Sequence, residues 1–317
     1  MARRRILWGR VFASACVLIA LVFLLGACVS SCFGGDDNNS SVSGPIIVST
    51  PDSSLTDPSS SAVDSTPSNP SSSTLNSYTE ITVEPAQIYS GNLVLVNNSY
   101  ASHLSEEELA LEAVAYAAGK PDCYTVSYPA RTLLNSTALT SFNKLMEAYF
   151  AATANKEIMV NDGYLAKNAP KSTEESSCGL SIQLHLNKAN GGFGYITNTS
   201  PYSWLYDHMA DYGYILRYPE GKEDLTGNTA TDTVIRYVGT PHAKYMTEYN
   251  LCLEEYLTQM KEKYEYGKGM LHYDDHIIYY VPANLTGSTT VPVPNKEDYT
   301  ISGNNIDGFI ITVDESN

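Results

Sequence analysis

Positive charge is what this sequence has least of, and from one long stretch it is missing altogether. After Arg10 no lysine or arginine occurs until Lys120. The 317 residues hold 19 Lys and Arg against 35 Asp and Glu, a formal net charge of −16. Arg3, Arg4, Arg5 and Arg10 supply four of those cations, so everything after residue 10 carries −20. A body this acidic repels phosphate backbones, which excludes nucleic acid as a partner. Phenylalanine is also scarce, 7 against 24 tyrosines. Tyrosine joins an apolar ring to a polar tip and suits wet grooves and extracytoplasmic surfaces. Beyond residue 33, cysteine is confined to Cys123, Cys178 and Cys252, an odd set that allows one disulfide at most. No C-x-x-C occurs, which excludes a zinc ribbon or a thioredoxin-like centre. There is no internal repeat, G-x-S-x-G elbow, Walker A loop or dinucleotide fingerprint. One S-x-x-K, Ser141-Phe142-Asn143-Lys144, sits inside a core-facing helical pattern without its companion motifs.

The N-terminus has a clear pattern. A basic stub, residues 1–10, precedes an apolar run over residues 11–29, just long enough to cross a bilayer as a helix. Leu25-Gly26-Ala27-Cys28 resembles a bacterial lipobox, with Cys28 the residue to be lipidated. Residues 1–33 therefore read as a lipoprotein signal or a single transmembrane anchor. Either one tethers the rest to the extracytoplasmic face of a bacterial cell membrane, because the basic flank stays inside. Residues 34–79 are rich in Ser, Pro and Asp and carry no aromatic before Tyr78, so they read as a disordered linker. A coil of that length reaches roughly 35–40 Å.

Globular patterning begins near Ile81. Residues 92–97 (N-L-V-L-V-N) predict a buried strand. Ser105 and Glu108 form a capping box that predicts a helix through Leu109, Leu111, Val114 and Ala117, stopped by Gly119. Leu139, Phe142, Leu145, Met146 and Tyr149 share one face of a helix over residues 137–154. Further helices are predicted over residues 204–212 (capped by Ser203), 241–248 and 253–264. Strands are predicted over residues 157–160, 214–218 and 234–238 and along the tail from His276. Strands and helices alternate without regular βαβ spacing, which gives an α+β class.

Two strings carry a resemblance. The first runs Tyr212-Gly213-Tyr214-Ile215-Leu216-Arg217-Tyr218-Pro219-Glu220-Gly221-Lys222 and on to Leu225-Thr226-Gly227. The second is Ile235-Arg236-Tyr237-Val238-Gly239, followed by Leu253-Glu254-Glu255-Tyr256-Leu257. Together they resemble the VanY-type D-alanyl-D-alanine carboxypeptidases, zinc enzymes that trim peptidoglycan stem peptides, over roughly residues 93–257. The resemblance implies a hedgehog/D-Ala-D-Ala-peptidase-like antiparallel sheet with flanking helices. It divides the chain into an anchor (1–33), a linker (34–79), a VanY-like domain (80–261) and a C-terminal β extension (262–317).

In that family an S-x-H-x-x-G-x-A-x-D motif gives zinc a His and an Asp, and E-P-W-H gives the second His and the general base. An Arg in S-G-Y-R-S receives the substrate carboxylate. Three protein ligands leave one open position, where the metal lowers the pKa of its water. Carried across residue by residue, the ligand positions hold Ser176, Gln183 and Val234, the base position Thr231, and the clamp position Leu165. The resemblance thus predicts a pseudoenzyme without zinc or catalytic residues. It would be a cell-wall binding or regulatory module for a stem peptide or an envelope protein, its groove lined by Tyr164, Leu165 and Trp204 beside Gln183 and Thr231. His185, two residues past Gln183 and on the same strand face, is the candidate substitute ligand. A rival reading is a residual zinc-dependent D-Ala-D-Ala carboxypeptidase with relocated ligands. A third is a stalked surface domain whose tail is the working part. His242 reads as structural, and His272-Tyr273-Asp274-Asp275-His276 as a solvated loop.

Overall fold

The computed structural model describes residues 78–166, 173–295 and 298–316. The anchor, Cys28 and the linker up to residue 77 lie outside the described residues. Among the described residues no helix is long and apolar enough to cross a membrane.

In chain order come β1 (Tyr78–Val83), β2 (Leu111–Ala113), β3 (Thr125–Val126), β4 (Leu133–Asn135), α1 (Ser136–Thr153) and β5 (Ile158–Asp162). A 3₁₀ turn (Glu175–Cys178) leads into β6 (Ser181–Asn187) and β7 (Phe193–Tyr195). Then follow α2 (Ser203–His208), β8 (Tyr214–Tyr218), α3 (Glu223–Thr226), β9 (Thr231–Tyr237), α4 (Thr240–Glu248) and α5 (Leu253–Lys263). The tail adds β10 (Leu271–Tyr273), β11 (His276–Pro282), β12 (Thr289–Pro294), β13 (Tyr299–Gly303) and β14 (Gly308–Asp314).

The central sheet has the order β3-β5-β6-β9-β8, with β7 on β6. Only the short β3–β5 pair is parallel. One face packs on α1, whose Leu139, Phe142, Leu145, Met146 and Tyr149 are buried together with Leu184 and Ile235. That helix starts on an Asn135 cap, whose side chain accepts from Thr137 and Ala138 backbone N–H, and ends at a left-handed Ala154. α4 and α5 pack on the other side, against β11 and β14 through Met246, Tyr256, Met260, Ile278 and Ile310.

Several expectations need correction. Residues 93–96 are buried, but the segment 92–97 forms no strand: its carbonyls meet side chains instead, Asn92 and Val94 accepting from Arg236 and Leu95 from Asn305. Only half of the Ser105–Glu108 capping box forms, Glu108 accepting from both the N–H and the hydroxyl of Ser105, and no helix follows. Asn135 Nδ2 captures the Leu109 carbonyl at 2.9 Å, Ala110 turns left-handed at φ 47°, and residues 111–113 pair with β4. Helix α2 begins at Ser203 without a side-chain cap and tightens into a 3₁₀ turn over Met209–Tyr212 before Gly213 (φ 76°) ends it. Finally, Tyr78 and Thr79, read as linker, open β1, which pairs along its length with β12.

The tail is therefore woven into the domain. Its four-stranded sheet has the order β10-β11-β14-β13. The Asn304-Asn305 turn donates from Asn305 Nδ2 to the Leu95 and Ala101 carbonyls, and the Leu95 N–H donates to Asn304. Gly303 runs so close to the Ile88 carbonyl that any Cβ there would collide with it. Residues 272–276 form a β-hairpin turn rather than an open loop, Tyr273 facing His276. His242 is buried, with Nδ1 at 2.6 Å from the Tyr256 hydroxyl and Nε2 at 3.0 Å from Thr312 Oγ1. Cys123, Cys178 and Cys252 are buried free thiols.

Candidate functional site

Strands β6 and β9 lie side by side, with Gln183 opposite Val234 and Ser181 opposite Arg236. On the other flank a bulge in β5 brings Asp162 opposite Gln183. Residues two apart on a strand share a face, so Ser181, Gln183 and His185 form one row. That row floors a cavity of about 400 Å³, whose walls include Leu165, Ser176 and Val234. Sequence-distant positions thus meet: the three positions aligned with zinc ligands, the position aligned with the carboxylate clamp, and His185 border one space. Gly163 makes the approach of Leu165 possible, because a side chain there would collide with the Leu133 carbonyl. That carbonyl accepts from the Tyr164 N–H at 2.7 Å.

Other expected groove residues lie elsewhere. The Tyr164 hydroxyl leans to Glu106 at 3.3 Å, and the side chain is not among those lining the cavity. Trp204 stacks on His208 and packs near Tyr149 of α1, away from the cavity, because α2 turns its aromatic side to the core. Thr231 pairs its hydroxyl with Thr233 at 2.9 Å and does not line the cavity.

The donor set does not fit zinc. Ser176 offers a neutral hydroxyl that already donates to the Thr173 carbonyl at 2.8 Å. Gln183 offers an amide oxygen that accepts from Asn161 Nδ2 at 3.0 Å, and Val234 offers no donor atom. Zinc sites in proteins are built from Cys, His and carboxylate groups. Among the described residues no group of three or more His, Cys, Asp or Glu side chains is placed to hold a metal ion.

Directly behind the cavity lies a buried ion network that sequence reasoning missed. Glu175, 3% exposed, accepts from Arg217 Nε at 2.8 Å, from Arg236 Nη1 at 2.7 Å and from the Ser181 hydroxyl. Arg217 forks onto Glu254 of α5 at 2.8 and 3.1 Å. Burial pushes the Glu175 carboxyl up, but Arg236, Arg217 and Ser181 together outweigh it and hold it at about 2. Two arginines inside the family-like strings, each on a buried strand of an acidic chain, were the available signal.

His185 is the other unusual group. It is 6% exposed, and neither ring nitrogen has a hydrogen-bond partner. Phe193 and Tyr195 of β7 stand edge-on to it, with ring centroids 4.7 and 5.0 Å away. Burial lowers its pKa from the ordinary histidine range, and Asp162 opposes this only in part.

No family model matches the chain. A D-alanyl-D-alanine carboxypeptidase of Enterococcus faecium is 32% identical over 255 residues, covering 74% of this chain and 78% of its own length. The bifunctional D-Ala-D-Ala dipeptidase and carboxypeptidase VanXYC of Enterococcus gallinarum is 34% identical over 85 residues, 26% of this chain and 45% of its own. Among solved structures, the D,D-dipeptidase VanXYg in complex with a D-Ala-D-Ala phosphinate analog superposes with a TM-score of 0.59 at 28% identity. That match covers 75% of this chain and 99% of the other. The 74% share exceeds the span of residues 93–257, so the similarity takes in sequence beyond the strings that first suggested it. By this sequence similarity, with a superposable fold, the chain belongs to the D-alanyl-D-alanine carboxypeptidase family of VanY/VanX type.

Proposed function

We propose that this chain is a VanY-like pseudoenzyme, a binding or regulatory module of the bacterial cell wall held at the outer face of the membrane by residues 1–33. The observation that carries the reading is the meeting of Ser176, Gln183, Val234 and Leu165 around one cavity. The alignment with the family's site is spatially coherent, and the side chains at those places neither hold zinc nor clamp a carboxylate. Thr231 cannot serve as a general base near neutral pH, because a hydroxyl there holds its proton.

The rival, a residual zinc-dependent carboxypeptidase with relocated ligands, draws on one observation: His185 borders the cavity with both ring nitrogens unbonded. Its nearest acidic companions are engaged. Asp162 accepts from Asn161 at 2.8 Å, and Glu175 is held by two arginines. A metal recruiting Glu175 would have to leave Arg217 and Arg236 buried without their partner, which costs several kcal/mol, about 3–5.

The test uses the full chain purified in non-ionic detergent. Zinc content is measured after dialysis against trace zinc, and D-Ala release is followed from a stem pentapeptide ending in D-Ala-D-Ala. Substoichiometric zinc and no release are expected. Stoichiometric zinc with turnover abolished by a chelator overturns the reading. Membrane fractionation of the chain with and without residues 1–33 tests the tether, and Cys28→Ala separates a lipid anchor from a retained helix.

A further inference from the structure

We propose that the outer edge of β13 takes an extended peptide as an added strand, with a basic side chain of that peptide in the cavity beside it. The edge belongs to the tail sheet, and its cavity shares no lining residue with the cavity over β6. The inference goes beyond the pseudoenzyme reading and does not rest on it.

The first argument is the backbone. In the β13–β14 ladder Thr300 lies opposite Thr312 and Ile301 opposite Ile311. At its two ends the Asp314 N–H donates to the Asp298 carbonyl and the Asn304 N–H to the Gly308 carbonyl. Even-numbered residues of β13 thus turn their peptide groups to β14, and Tyr299, Ile301 and Gly303 turn theirs outward. The Gly303 N–H donates to the Ser90 carbonyl at 2.8 Å, and the Asn305 N–H to Ile88 at 2.9 Å. Residues 88–90 therefore stand in for the next strand, but only along half of the edge. At Gly91 (φ 106°) the chain turns aside, so close to Ser302 that any Cβ would collide with it. Past that point, among the described residues, no backbone or side-chain group meets the outward N–H and C=O of Tyr299 and Ile301.

The second argument is that this half of the edge is unguarded. Sheet edges invite another strand unless charge, proline or a covering segment blocks them. Strand β12 carries Pro292 and Pro294, which have no N–H to offer. Tyr299-Thr300-Ile301 has neither proline nor charge and consists of strong strand formers. An added strand also has space, since a cavity of about 440 Å³ lies against residues 298–302, walled by Gly91, Leu93 and Gly239.

The third argument is charge, and it selects the peptide. Asp314 of β14 and His276 of β11 sit opposite each other in the sheet and both line this cavity. Asp314 accepts from the N–H and the hydroxyl of Ser316, and among the described residues no Lys or Arg pairs with it. The Nδ1 of His276 is buried and unbonded. An ammonium or guanidinium group carried in on a strand gives the carboxylate a counter-charge and Nδ1 a donor. An acidic side chain meets like charge instead. Main-chain bonds along Tyr299 and Ile301 supply the affinity, and the side chain in the cavity supplies the choice.

Fluorescence anisotropy of the full chain in detergent tests this, the probe being a labelled peptide Thr-Val-Lys-Val-Thr blocked at both ends. Saturable binding at or below about 1 mM is expected. Exchanging its lysine for glutamate should weaken binding at least about fivefold, and Asp314→Asn should shrink that preference. N-methylation of alternate amides gives two complementary peptides, because only every second peptide group of a strand faces its neighbour. One of the two should lose binding and the other keep it. Ile301→Pro removes an outward N–H and no ladder bond, and should weaken binding about tenfold at an unchanged unfolding midpoint. The methylated pair tests the same contact without altering the protein, so the test does not depend on that variant folding. Absence of saturable binding overturns the proposal. So does equal binding of the two methylated peptides, or of the lysine and glutamate peptides. A dimer in sedimentation that Ile301→Pro dissolves assigns the edge to a second copy of the chain and overturns it as well. Zinc content and D-Ala release from the same preparations report separately on the pseudoenzyme reading.

Discussion

The wall of the cavity and the layer behind it are a few ångströms apart, and they differ in kind. On the wall, Ser176, Gln183 and Val234 present a hydroxyl, an amide and a hydrocarbon where the family fold supports metal chemistry. Behind it, Glu175, Arg217, Arg236 and Glu254 form a fully paired ionic lattice joining the 3₁₀ turn, β8, β9 and α5. The comparison separates two jobs that a metal site can combine. On the reading proposed above, catalytic capacity belongs to a handful of wall atoms and the frame of the cavity to the lattice, so that this chain would give up the first, keep the second and leave the space available for binding.

Rebuilding the wall is the strongest way to break the contrast. Ser176→His, Gln183→Asp and Val234→His in one chain should give zinc affinity at least about 10⁴-fold above the parent, read by competition with a chelating dye. D-Ala release should stay absent, because Thr231 does not line the cavity and Leu165 offers no carboxylate clamp. No gain in zinc affinity would mean that the lattice does not hold these positions in register.

Breaking the lattice comes next. Glu175→Ala leaves Arg217 and Arg236 without their shared partner and should cost about 3–5 kcal/mol in urea denaturation. A loss below about 1 kcal/mol would show that the lattice is dispensable.

The smallest effect sharpens the comparison by pH. Burial and the nearby His276 depress the pKa of His242 to about 3. The unfolded chain therefore binds that proton more readily, and stability falls as pH drops below about 6.5 toward 3. Between pH 7 and 5 His242 should account for a loss of about 2 kcal/mol, which His242→Gln should remove, leaving what His185 adds through its own lowered pKa. Glu175 also has a depressed value, near 2, so its contribution is intact above about 4.5 and disappears only below that. Thermal midpoints measured across pH 7 to 3 would resolve the two windows. A slope between pH 7 and 5 that His242→Gln leaves undiminished would remove His242 from the account.

What the sequence made legible follows from range. The α1 helix was readable because its apolar residues repeat at helical spacing and one buried face decides the outcome. Thr231 and Val234 could be counted off because a contiguous string runs from Leu225 to Arg236 without a gap, whereas Ser176 and Gln183 hang on the shorter anchor Gly179-Leu180-Ser181. Glu175 was not legible, since its partners lie 42 and 61 residues away, and an acid in a Ser-rich turn looks solvated until the fold brings two arginines to it. Residues 105–117 misled for a related reason: the contact of Glu108 with Ser105 is local, while the Asn135 side chain that intercepts the Leu109 carbonyl is not. Trp204 likewise joins the core through α1, a choice that only packing makes.

The β1–β12 ladder has a mechanical consequence. A pull applied through the chain preceding Tyr78 enters the domain at the Tyr78–Pro294 rung and is borne first by that two-stranded ribbon. The load path runs into the tail strands, and β6 and β9 are not its first bearers. The ribbon would act as a strain relief, giving way under tension while the cavity keeps its dimensions.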